Sequence, residues 1–157
     1  MENRKNGSNG KNHKFAYING VAHEIKSDHT SVLKFVKEHI NEKEIPSLCD
    51  DPNLAPYGAC RVCSVDVALK KDGPTRTVAS CHTPVTEGSY IITQNEDLTK
   101  LRKNIVELVL TDHPMTCSTC EVNNNCELQT VANDLNINNH RYNKPKQNKG
   151  TPKDTSH

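Results

Sequence analysis

Apolar and polar residues alternate in short runs near the start of the chain, and further on the apolar ones recur at helical spacing. Phe15-Ala16-Tyr17-Ile18 and Val21-Ala22-His23-Glu24-Ile25 flank Asn19-Gly20. Both of those residues tolerate the positive φ that a two-residue hairpin turn requires. The period then switches. Val32, Phe35, Val36 and Ile40 fall on one helical face, with Asp28 or Ser27 placed to cap it and Glu42 to Pro46 ending it. Strand, turn, strand, helix is the opening of a β-grasp fold. Cys63 to Leu69 alternates again and predicts a strand, Lys70 to Pro74 a turn, Thr75 to Ser80 a returning strand, and Gly88 to Thr93 a last short one. A longer helix is predicted from about Asp97 to Thr111, capped by Asn95 or Thr93 and stopped by Pro114. Leu98, Leu101, Ile105, Leu108 and Val109 form its expected apolar face. Asn125 is placed to cap a third helix, in which Leu128, Val131, Ala132 and Leu135 share a face.

Polar residues dominate both ends. Residues 1–13 and 140–157 hold little to bury and read as disordered tails. The 20 basic and 19 acidic residues leave a net charge of +1 and no basic stripe, so no nucleic-acid partner is expected. No apolar run reaches the roughly 20 residues of a membrane helix, and no membrane span is expected. The first residues lack the apolar core of a secretory signal. The chain is therefore expected in the reducing cytoplasm, where clustered cysteines are metal ligands more often than disulfides.

The cysteines carry the chemistry. Cys49, Cys60, Cys63 and Cys81 are spaced C-x10-C-x2-C-x17-C, with the first three in a Pro/Gly-rich loop and the predicted hairpin bringing the fourth back. His113, Cys117, Cys120 and Cys126 follow as H-x3-C-x2-C-x5-C. All seven cysteines and one of eight histidines make two complete four-ligand sets without remainder. Four thiolates suit a [2Fe–2S] rhomb, two per iron. Gly58 lets the backbone approach such a group, and Arg61 either adds positive charge beside it or stays solvated. Zinc fits the first set poorly, because four-cysteine zinc sites present two short C-x2–4-C pairs and only one is here. The second set suits either zinc or a [4Fe–4S] cube with one imidazole ligand. His113 also reads as a helix-end histidine interacting with the dipole. His82 reads as an ordinary loop residue.

The β-grasp opening, the C-x10-C-R-x-C loop and the run His-Pro-x2-Cys-x2-Cys-x5-Cys-x-Leu-Gln resemble one shared module over about Lys14 to Tyr142. It is the N-terminal iron–sulfur module of the largest iron–sulfur subunit of respiratory complex I. Similar modules occur in the small diaphorase subunit of NAD-reducing hydrogenases, in iron-only hydrogenases and in NAD-linked formate dehydrogenases. The resemblance implies an α+β chain with a 2Fe-2S ferredoxin-like β-grasp domain over 14–94 and a helical 4Fe-4S domain over 95–139. It implies that Cys49, Cys60, Cys63 and Cys81 bind one [2Fe–2S] cluster, and that His113, Cys117, Cys120 and Cys126 bind one [4Fe–4S] cluster. The interval from Cys63 to Cys81 is a few residues longer than in the complex I form. The chain also ends where those relatives continue, so a separate polypeptide is expected.

No P-loop, dinucleotide fingerprint or nucleophile motif is present. The expected role is thus an electron-transfer subunit with no catalytic site of its own. It would relay single electrons between a flavin/NAD(H)-binding subunit and a catalytic subunit of formate dehydrogenase or hydrogenase type. The alternative is a zinc-stabilised interaction module without redox activity.

Overall fold

The computed structural model describes residues 13–27, 30–139 and 141–142. Most of the two expected tails, and Asp28 as a helix cap, lie outside the described residues. Asn19 (φ 49°) and Gly20 (φ 87°) turn β1 (Phe15–Ile18) into the antiparallel β2 (Val21–Glu24). Asn19 also ties the hairpin tip to the sheet centre: its Nδ2 donates to Thr93 Oγ1 at 2.8 Å and its Oδ1 accepts from Thr93 N at 3.0 Å. That links the tip to the end of β5 (Tyr90–Ile92), which runs parallel to β1. β3 (Ser64–Ala68) pairs antiparallel with β5 and with β4 (Arg76–Ala79), giving the order β2-β1-β5-β3-β4.

One helix, α1 (Val32–His39), fills the inner face of this sheet. Val32, Leu33, Phe35 and Val36 are buried with Ala16, Ile18, Val65 and Ile91. Each large side chain sealed this way stabilises the fold by about 1.5–3 kcal/mol. The helix begins later than expected, because Ser31 and not Ser27 accepts the bond from Lys34 N. Ile40, expected on the buried face, is the exposed C-cap. Two of the N–H groups that a helix start leaves unpaired reach the segment carrying Cys81: Val32 N donates to Thr83 O at 2.8 Å, and Leu33 N to Ser80 O at 3.0 Å.

A second core forms around α2 (Glu96–Asp112) and α3 (Glu127–Asp134). Asn95 caps α2 as expected, accepting from Leu98 N at 2.7 Å, while its Nδ2 holds Asp66 of β3 at 2.8 Å. The expected apolar face of α2 is only partly the buried one: Leu98 is buried as expected. Leu98, Arg102, Val106 and Leu110, spaced by four, face inward; Leu101, Leu108 and Val109 are exposed, Leu108 by 54%. Ile105 is half-buried. Leucines therefore stand on both sides of the helix, and an arginine shares the inner one. α3 starts at Cys126 without a side-chain cap, where Asn125 was expected to provide one. Val131 and Ala132 are buried, and Leu128 and Leu135 pack beside them as expected. The helix ends in a Schellman turn: Asn136 takes φ 53°, Ile137 N donates to Ala132 O and Asn136 N to Asn133 O.

The two faces of α2 should separate in stability. Val106→Ala is expected to cost about 2–3 kcal/mol by leaving a cavity, and Leu108→Ser to stay within about 0.5 kcal/mol. Urea unfolding of both variants checks this.

Candidate metal centres

The first donor set lies where the Pro46–Gly58 loop meets the inner end of the β3–β4 hairpin. Asp51 shapes the loop with an Asx turn, its Oδ1 accepting from Asn53 N at 2.7 Å. Lys37 of α1 pairs with Asp50 at 3.4 Å. Gly58 sits at φ +70°, and a Cβ there would stand 3.2 Å from the Ala79 Cβ and 3.5 Å from that of His82. Only glycine fits that approach without strain. His82 braces the same loop through Nδ1 and Pro56 O at 3.0 Å, a role not visible in its reading as an ordinary loop residue. Arg61 is exposed and takes φ +62°, turning the chain between Cys60 and Cys63.

These constraints bring the four thiols together in two pairs. Cys60 N donates to Cys49 Sγ at 3.5 Å, and the two thiols act on each other electrostatically. Cys63 and Cys81 form the other pair, both buried. Cys63 O accepts from Ser80 Oγ at 2.7 Å, which locks Cys81 in register with it. Burial pushes the Cys81 thiol up to about 12, with Cys63 and then Cys49 adding to the shift and the Gly58 N–H opposing it. Burial likewise raises Cys49, with the Cys60 thiol adding to the shift and the Cys60 and Ala59 N–H groups opposing it. For Cys60 burial works in the same direction, yet N–H groups from Val62, Leu48 and Cys49 and the Cys49 thiol outweigh it, and its thiol falls below the ordinary value. A site that resists four separate thiolates but aims backbone N–H groups at the sulfurs suits a group that binds them all and accepts hydrogen bonds at sulfur.

The second set is built at the junction of α2 and α3. His113 is the C-cap of α2, with extended backbone and its N–H on Leu110 O at 3.2 Å. Cys117 opens a short 3-10 turn (Cys117–Thr119), Cys120 closes it by donating its N–H to Cys117 O, and Cys126 is the N-cap of α3. All four side chains line one cavity of about 170 Å³, with Val122 on its wall. Gln129 fixes the loop between Cys120 and Cys126: its Oε1 accepts from Asn124 N at 2.8 Å and its Nε2 donates to Asn123 Oδ1 at 3.0 Å. Among the described residues, no three His, Cys, Asp or Glu side chains close around a single metal ion. The donors line a wider space, and the thiolate-rich set fits a polynuclear iron–sulfur group by its chemistry.

The two sites share a wall. Val62, between Cys60 and Cys63, is fully buried not against the sheet but in the helical core with Val106, Leu110, Val131, Ala132 and Ile137. Leu48 and Cys60 pack on that same cluster. Residues that read as spacers in the first ligand loop are thus core residues of the second site's scaffold. Their apolar type alone could not have signalled this, because Leu54 and Tyr57 in the same loop are exposed.

A mixed sheet with one packed helix, a cysteine-lined loop and an appended helical pair define an α+β iron–sulfur protein. Comparison with known proteins identifies which. A family model described as a 2Fe-2S iron-sulfur cluster binding domain matches residues 17–96, half of the chain, and the chain belongs to that family. A second model, the NADH-ubiquinone oxidoreductase-G iron-sulfur binding region, matches residues 102–141. The chain accordingly carries binding regions for one [2Fe–2S] and one [4Fe–4S] cluster. NADPH-Fe(3+) oxidoreductase subunit alpha of Geobacter sulfurreducens is 40% identical over 88 residues, 56% of this chain and 10% of that protein. A subunit of the NADH-quinone oxidoreductase of Buchnera aphidicola is 36% identical over 131 residues, 82% of this chain and 14% of that protein. The chain thus spans only a small part of these curated relatives. The fold also matches the crystal structure of an NAD+-reducing [NiFe]-hydrogenase in the H2-reduced state, with a TM-score of 0.69 at 23% identity. That match covers 83% of this chain and 52% of the other.

Gly58→Ala should damage the first site alone. The left-handed backbone costs an added Cβ about 1–2 kcal/mol, and the Ala79 contact must give way. Iron analysis of the purified variant is expected to show the loss of roughly two irons while those of a four-iron group remain.

Proposed function

We propose that the chain is an iron–sulfur electron-transfer subunit whose two sites act as adjacent stepping stones. Cys49, Cys60, Cys63 and Cys81 hold the [2Fe–2S] cluster, Cys49 and Cys60 on one iron and Cys63 and Cys81 on the other, a reading supported by the pairing of the thiols. His113, Cys117, Cys120 and Cys126 hold the [4Fe–4S] cluster, supported by the cavity they share. The bound clusters supply one-electron redox chemistry. The chain's own residues position them, aim N–H groups at sulfur and exclude water from the wall between them. The observation that supports the relay is Val62, which packs the first ligand loop onto the core of the two helices whose junction carries the second donor set.

The partners are a flavin/NAD(H)-binding subunit and a catalytic oxidoreductase subunit of hydrogenase or formate dehydrogenase type. The fold shared with the NAD+-reducing hydrogenase supports this choice. Seven free thiols suit work in the reducing cytoplasm. Among the described residues no helix is long and apolar enough to cross a membrane.

Anaerobic purification with iron, sulfide and zinc analysis, followed by EPR of the dithionite-reduced protein, tests the reading. About six irons and two distinct reduced signals are expected. Two irons with one zinc would reduce the second site to a structural staple, and a colourless iron-free chain that folds would overturn the proposal. His113→Cys is expected to keep the four-iron signal and lower its potential, because a thiolate adds the negative charge that a neutral imidazole lacks. The isolated chain should pass electrons to an artificial acceptor yet oxidise neither formate nor hydrogen.

A further inference from the structure

Arg102 is the least expected residue of the interior. It stands in the first half of α2, 4% exposed, on the inner face between Leu98 and Val106. Its Nη2 donates to two backbone carbonyls, Ser64 O and Thr93 O, each at 2.7 Å. Its Nε is buried without an acceptor, and among the described residues the guanidinium has no carboxylate within ion-pair distance. Burying a cation on neutral carbonyls alone is costly and calls for a compensating negative charge. Burial lowers the Arg102 guanidinium from its ordinary range, and Cys63, then Glu44 and Asp66, oppose that shift. Ser64, the residue it grips, directly follows Cys63, whose side chain is fully buried.

We propose that Arg102 is the counter-charge of the first site, a positioning and potential-setting residue that favours the reduced two-iron state without being a ligand. This rests on the assignment of Cys49, Cys60, Cys63 and Cys81 to that site. Four thiolates around a two-iron, two-sulfide core leave the oxidised assembly negative, and each electron accepted from the donor subunit adds one more negative charge. A fixed positive charge behind Cys63 favours that added charge, in a low-dielectric setting where such effects are large. Arginine suits the task because it keeps its proton throughout. The same helix ends at His113, so one rigid element carries the tuner of the first site and a donor of the second.

The test is a redox titration followed by EPR on the full chain loaded with iron and sulfide. Arg102→Met is the first variant, because replacing a buried ionic group with an apolar side chain of similar bulk is often neutral for stability. Arg102→Gln is the second, and Arg102→Lys the charge-keeping control. The expected result is at least a tenfold loss in the equilibrium constant for one-electron reduction of the two-iron site in the Met and Gln variants. A tenfold loss corresponds to about 59 mV. The Lys variant should stay within about threefold of wild type, and the four-iron potential should not move. A two-iron signal present in the Met or Gln variant at the wild-type potential would overturn the role of Arg102 and leave the site assignment intact. A wild-type chain with no two-iron signal at all would overturn the assignment itself.

Discussion

The packing of Val62 into the helical core is the contact on which the rest of the arrangement depends. A ligand loop is ordinarily the least anchored part of a fold, since its backbone bonds to side chains and water and it buries little apolar surface. Here the loop is pinned at its tightest point. Val62 leaves the sheet side, enters the cluster of Val106, Leu110 and Val131, and takes Leu48 and Cys60 with it. Arg102 closes the same seam from the other direction, reaching from α2 to the carbonyls after Cys63 and at the end of β5. One apolar and one polar clasp, with different physical origins, hold the sheet and the helices in a single relation.

Around the first donor set the fold spends its hydrogen bonds on placement. The N-terminus of α1 donates to Ser80 O and Thr83 O on either side of Cys81, and Ser80 returns a bond to Cys63 O. Burial raises the Cys81 and Cys49 thiols, while the N–H groups around Cys60 draw its thiol the other way. Such a site favours a bound group that shares the sulfur charge over four independent thiolates. The second set is more open. Cys120 is exposed, and the loop around it depends on the two amide bonds of Gln129.

Much of this was legible in the residues. The Asn19-Gly20 turn, the Asn95 cap and the apolar stripe of α3 are local features, decided by positive φ, one side-chain oxygen and helical spacing. The grouping of the donors followed from spacing and from the absence of a leftover cysteine. What escaped depends on distant partners. The buried face of α2 was misread because counting aliphatics favours Leu101, Leu108 and Val109, and nothing local reveals that two carbonyls wait for the guanidinium of Arg102. His82 reads as a loop residue until Pro56, 26 positions earlier, is brought against it. Ser31 displaced Ser27 as a cap because the backbone of residues 80–83 fixes where α1 can begin.

The two binding regions match two family models that do not overlap in sequence, which invites the picture of interchangeable cassettes. The shared core limits that freedom. A β-grasp unit cut off before α2 would bare Val62 and Leu48 and leave the Ser64 and Thr93 carbonyls without their donor. The helical pair alone would lose the side chain that fills its centre. Recombination among oxidoreductases should therefore move the pair as one block, with the residue between Cys60 and Cys63 inherited alongside α2 and not alongside the strands it sits between.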